Sequence, residues 1–240
     1  MQKQKIQVWD LPIRLFHWLL VITIALSYLT IQIGGTWTDW HARLGALALG
    51  LIVFRLLWGF IGNKQARFSQ FFPTPTRLIQ YFKGQWQGVG HSPLGGLAVF
   101  ALLGLTGVVV LTGLFANDDI TLFGPLYPLI DQSLSDWMTG IHTIAFNALL
   151  MVIALHLLAI AFYCLVKKNN LIKPMLTGIN EVETPHPIEH EQIKTQTKPA
   201  YFFISVALAL IIVWLTFGNM LTDLLAAKPP PPAPSSQSQW

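Results

Sequence analysis

Charge and cysteine are both scarce in this chain. Of its 240 residues only 11% are Asp, Glu, Lys or Arg, against about 25% in an ordinary soluble domain. The one cysteine, Cys164, leaves no internal disulfide and no CxxCH motif for covalent haem attachment. A Gly-rich phosphate loop and a Ser-His-Asp type motif are missing as well, and no cleavable signal stands out, because the first apolar run is long enough to span and lacks a small-residue cleavage site. The excess of base is small, a net charge of +4, which fits setting orientation in a membrane better than binding nucleic acid. What fills the chain is apolar: 53% hydrophobic residues and a mean hydropathy of +0.52. That balance is the signature of an integral membrane protein.

Five apolar runs are long enough to cross a bilayer of about 30 Å hydrocarbon thickness. They cover residues 13–33, 41–61, 93–115, 135–168 and 201–226. Pro12 marks the approach to the first, and Gly34-Gly35 and Gly62-Asn63 stop the first two. The third run is rich in Gly, Ala and Thr, which lets a neighbouring helix or a flat cofactor approach its backbone. Between the second and third runs, Pro73-Thr74-Pro75 makes the chain irregular, and Arg77–Phe82 reads as a short interfacial helix. Most of the nine Trp stand near run ends, as an aromatic belt would. The expected organisation is a four-helix membrane domain over 1–178, a linker over 179–200, a further span over 201–227 and a Pro/Ser-rich tail over 228–240.

Lys and Arg alternate between links. Lys3, Lys5 and Arg14 precede the first span; Lys64, Arg67, Arg77 and Lys83 follow the second; Lys167, Lys168 and Lys173 follow the fourth. The links 34–40 and 116–135 have none. The basic set is expected in the cytoplasm, with the N-terminus inside, the C-terminus in the periplasm, and the protein in a bacterial inner membrane.

Four histidines lie within or at the mouths of these spans, where a polar group is costly and marks function by default. His142 and His156 are fourteen residues apart on the fourth span, so they share a face to within about 40° and are separated by about 21 Å along its axis. His17 matches the depth of His156, and His41 matches that of His142. Two neutral imidazoles per site, without thiolate or nearby carboxylate, do not suit a structural zinc or a facial iron triad. They suit haem b, which brings its own four equatorial nitrogens, in the core of a helix bundle. The expected ligands are His17 with His156 on the cytoplasmic side and His41 with His142 outside, holding two haems b that form an electron path across the membrane. Haem propionates need cations, and Arg is suited to carboxylate pairing. Arg14 and Arg43 stand beside His17 and His41, and Arg55 lies about 18 Å deeper than His41 on the same helix. His91 competes with His17 or serves a propionate or quinone site, whereas His186 and His190 read as solvated loop residues. Cys164 reads as a small packing residue.

The strings VWDLPIRLFHW, HARLGALALGLIVFRLLWGFIG, HSPLGG, TGLFANDDI and KPMLTG occur in order and resemble the bacterial cytochrome b561 family, dihaem membrane cytochromes b related to the b subunit of nickel-iron hydrogenase. The likeness covers residues 7–178. It implies a four-helix bundle with His17, His41, His142 and His156 as axial ligands, and electron exchange with membrane quinone and with a c-type cytochrome, a hydrogenase or another redox subunit. The fifth span lies outside the pattern, carries no histidine and is expected to be an assembly or docking helix; a homodimer is left open. The leading expectation is therefore an electron-transfer cytochrome with quinone at one haem and a protein partner at the other, expected to be a periplasmic c-type cytochrome and steered by the acidic link of Asp118, Asp119, Asp131 and Asp136. A superoxide-oxidising, quinone-reducing enzyme and a membrane-anchor subunit are the alternatives. The first of these wants a positive outer funnel, and the outer links are acidic.

Overall fold

The computed structural model describes residues 2–86, 92–120, 122–184, 199–218 and 223. His91, His186, His190, most of the expected linker, the end of the fifth span and the Pro-rich tail lie outside the described residues.

Among the described residues, five helices are long and apolar enough to cross a membrane. α1 (Leu11–Ile33) starts at Asp10, whose carboxylate accepts from the Ile13 amide at 2.9 Å, with Pro12 in the first turn where its missing N–H costs nothing. It ends at Gly34, where φ of +70° favours glycine. α2 (Thr38–Ile61) follows after a single 3₁₀ turn. α3 (Phe68–Phe71) and α4 (Pro75–Phe82) form the connection to α5 (Pro93–Gly113). α6 (Gln132–Leu165) is capped by Asp131, which accepts from the Leu134 amide at 2.9 Å, so it begins three residues before the expected span. Its 34 residues are about 51 Å long, more than a bilayer core requires. α7 (Ile172–Thr177) and α8 (Pro199–Phe217) complete the helices.

Helix packing joins α5 to α6, α1 to α2, α2 to α8 and α2 to α5. α2 is thus the central helix, and its buried residues (Ala48, Leu51, Ile52, Phe54, Arg55, Trp58 among them) cover a broad face of it. α1 meets it along Phe16, Thr23 and Thr30, spaced seven apart on one face. α8 presents Ser205 and Ala209, a small-residue pair four apart, among its buried positions, which permits close backbone approach. Phe202 of α8 stacks edge-on against Phe54 and Trp58. The fifth span is therefore packed on the bundle through α2.

Three contacts gather the basic segments at one end, here called the basic end. Asp10 bonds Asn63, Arg14 bonds the Thr177 carbonyl, and Tyr81 bonds Tyr163. A fourth was not foreseen. β1 (Gln2–Gln7) pairs antiparallel with β2 (Ile179–Thr184), with Lys3 opposite Glu183 and Lys5 opposite Glu181 in register. The start of what reads in the sequence as a polar linker is thus a strand, because only the closed bundle brings residue 179 beside residue 7.

Candidate haem sites

The acidic end, at the links without Lys or Arg, brings His41 of α2 and His142 of α6 together, their ring centres 6.2 Å apart and their planes 77° to each other. Each ring is fixed from behind. His142 Nδ1 lies 2.8 Å from the Val109 carbonyl of α5, and His41 Nδ1 lies 3.0 Å from the Ser27 carbonyl of α1, with the Ser27 hydroxyl at 3.1 Å. A carbonyl can only accept, so each Nδ1 donates its proton and each Nε2 keeps its lone pair for a metal. Such carbonyl partners are what orient metal-bound imidazoles elsewhere. Gly113 completes the seat: a Cβ there would stand 3.0 Å from His142 Cε1. Ser27, Val109 and Gly113 were not singled out from the sequence. Ser27 left a faint signal as a hydroxyl in an apolar run, while a backbone carbonyl such as that of Val109 leaves none.

At the basic end, His17 of α1 and His156 of α6 lie within electrostatic range of one another. Nδ1 of His17 is buried with no hydrogen-bond partner. The α1 helix is tied to α7 on either side of this ring, by Arg14 to the Thr177 carbonyl at 3.2 Å and by Trp18 Nε1 to the Met175 carbonyl at 3.4 Å. Among the described residues no group of three or more His, Cys, Asp or Glu is placed to hold a bare metal ion; the candidate ligands come in pairs.

The three arginines differ. Arg14 Nε is buried without a partner one turn before His17, leaving a donor near the basic-end pair. Arg43 is exposed, with its guanidinium 5.0 Å from the ring centre of Trp40. Arg55 is only 4% exposed, donates to the Ala66 carbonyl at 3.2 Å and sits 4.4 Å over the Phe68 ring. A propionate would have to use the donors that these contacts leave. Arg55 is also attracted by Asp10, a residue that sequence reasoning passed over. Asp10 is 4% exposed, and its second oxygen accepts from Trp58 Nε1 at 3.1 Å and Asn63 Nδ2 at 2.7 Å. One carboxylate thus caps α1 and joins it to the end of α2. An Asp two residues before Pro12 is an N-cap signal that could have found its first role, though not its second.

A family model described as prokaryotic cytochrome b561 matches residues 8–178. The chain belongs to the prokaryotic cytochrome b561 family. Among relatives of this cytochrome, the probable Ni/Fe-hydrogenase B-type cytochrome subunit of Azotobacter chroococcum mcd 1 is 26% identical over 213 residues, covering 72% of this chain and 87% of the relative. The protein of the same description from Azotobacter vinelandii is 24% identical over the same shares. The probable Ni/Fe-hydrogenase 1 B-type cytochrome subunit of Escherichia coli (strain K12) is 22% identical over 137 residues, 44% of this chain and 57% of the relative. No solved structure matches.

Membership makes this chain a multi-pass membrane protein of electron transport with haem b as its cofactor. The residues present fit that group. His41 and His142, with ring centres 6.2 Å apart and both Nδ1 atoms on carbonyls, would hold it through their Nε2 atoms. The buried, unpartnered Nδ1 of His17 and the free Nε of Arg14 are the polar atoms a second such group would engage at the basic end. Haem supplies a one-electron carrier; the chain supplies ligands, tautomer and an apolar surround.

Proposed function

We propose that this cytochrome carries electrons across a bacterial inner membrane between the quinone pool and a redox partner protein, through two bis-histidine haems b. His17 and His156 hold the cytoplasmic haem, His41 and His142 the periplasmic one. The observation that carries this reading is the pair of facing imidazoles at the acidic end with both Nδ1 protons engaged. It is supported by the second histidine pair about 21 Å away along α6. Filling both axial positions excludes oxygen as a ligand and suits outer-sphere transfer. Arg14 and Arg43 hold propionates, with any share from Arg55 limited by its own contacts. The N-terminus lies in the cytoplasm and the C-terminus outside, from the placement of Lys and Arg, and residues 1–178 form the dihaem unit.

For the partner, the names of the relatives favour a Ni/Fe-hydrogenase over a soluble c-type cytochrome. The carboxylates of the acidic link also shape the loop. Asp118 accepts from the Ile120 and Leu122 amides, Asp131 caps α6, and Asp119 and Asp136 both accept from Gln132.

A pyridine-haemochrome assay of the purified chain should give two haems b. His41→Ala or His142→Ala should each remove one haem and leave the other, and His17→Ala or His156→Ala should remove the other. One haem or none in the unsubstituted chain would end the reading. Oxidation of the reduced haems by an added quinone tests the substrate.

A further inference from the structure

The phenols of Tyr81 on α4 and Tyr163 on α6 share a hydrogen bond. Tyr163 lies seven residues beyond His156. It therefore stands within about 20° of that histidine on the helix and about 10.5 Å further toward the basic end. α4 packs on α5, so the phenol pair ties it to the helix that carries the haem ligands.

Each phenol has one O–H. A single bond between two phenols consumes one proton and leaves the other free to donate. Both rings are only partly buried, and they stand in aromatic company: Tyr81 meets Phe82 at 5.9 Å and Trp86 at 6.3 Å, and Tyr163 meets Phe162 at 6.0 Å. Beside them Ile79 is 54% exposed and Phe82 73% exposed. Lys167 and Lys168 follow the Val166 cap of α6, which places the pair at headgroup depth. The Tyr163 bond and burial push the Tyr81 phenol up to about 12, so it stays protonated at any physiological pH.

A neutral O–H donor among aromatic rings, open to the lipid boundary, recognises a flat apolar ring with a carbonyl acceptor. Arg77, on the same short helix as Tyr81, donates to the Gln70 and Phe72 carbonyls. We infer that the Tyr81–Tyr163 pair anchors the head group of a membrane quinone beside the haem held by His156. This rests on the quinone reading above and adds to it a location.

The test uses the full haem-loaded chain in liposomes with a photoreactive azidoquinone, with and without excess unlabelled quinone, followed by peptide mapping. Competable label is expected within residues 75–86 and 156–168. The Y81F/Y163F double variant keeps both rings and removes both O–H groups. It should weaken protection by the unlabelled quinone about tenfold, with haem content and haem spectrum unchanged. Competable label on other segments, or protection equal to wild type in the double variant, overturns the inference and leaves the quinone reading standing. An absence of competable label anywhere overturns both. The mapping on the unsubstituted chain decides the location even if the double variant loses haem.

Discussion

Replacing Gly113 with alanine disturbs the acidic-end site without touching a histidine. The new Cβ would stand 3.0 Å from Cε1 and 3.1 Å from Nδ1 of His142, where ordinary carbon contacts need about 3.5–4.0 Å. The imidazole must retreat by about 0.5 Å. It is pinned by the 2.8 Å bond to the Val109 carbonyl, so the retreat strains the bond that fixes its tautomer. Overpacking of this kind costs about 1–3 kcal/mol. Gly-to-Ala in a helix returns about 1 kcal/mol. The fold should therefore survive while the ligand moves. In a redox titration that separates the two haems, Gly113→Ala should shift the midpoint of one and leave the other, and Gly113→Val should lose that haem. Gly104→Ala is the control: it lies on the same helix and its Cβ would meet nothing within 4 Å, so both haems should be unchanged. If Gly113→Ala and Gly113→Val both keep two haems at wild-type potentials, His142 is not a ligand in this seat.

Asp10→Ala removes the α1 cap, worth about 1 kcal/mol, and strands the buried donors of Trp58 and Asn63 at about 1–3 kcal/mol each. A loss of about 3–7 kcal/mol is expected from these terms, read as a lower denaturation midpoint in detergent, and an unchanged midpoint would refute the hub. Gly59→Ala would place a Cβ 2.1 Å from the Phe68 ring, which must swing out from beneath Arg55. Faster proteolysis in the 62–72 connection is the expected result, with wild-type cleavage counting against it. The Tyr81 phenol is raised to about 12 in the folded chain from about 10 in the unfolded one. Its bond to Tyr163 therefore contributes fully below pH 10 and is lost as pH rises through 12; an ultraviolet difference titration should show one tyrosinate appearing late, and in Y163F that delay should shrink.

The spans were legible because each is a local run of apolar residues bounded by Gly, Pro or a capping Asp, and because a bilayer fixes how long such a run must be. The short helix α4 was legible from its turn chemistry at Pro73-Thr74-Pro75. Its bond to α6 was not, since Tyr81 and Tyr163 are far apart in the chain. The β1–β2 ribbon was invisible for the same reason: neither strand has a signal of its own, and each exists only because the other is delivered beside it.

For the histidines, the sequence by itself determined depth and face, since a helix repeats every 3.6 residues and His142 and His156 are fourteen apart. It also determined, through Lys and Arg, which links share an end. Tertiary structure decided what those residues meet. It turned Arg55 toward Ala66 and Phe68, set α8 against α2, and used Asp10 to bind two helix ends. It also placed the Ser27 and Val109 carbonyls behind the two acidic-end imidazoles. The reason is physical: periodicity and hydropathy act along one helix, but a hydrogen bond to a backbone carbonyl depends on where a second helix lies, and every residue type carries that carbonyl alike.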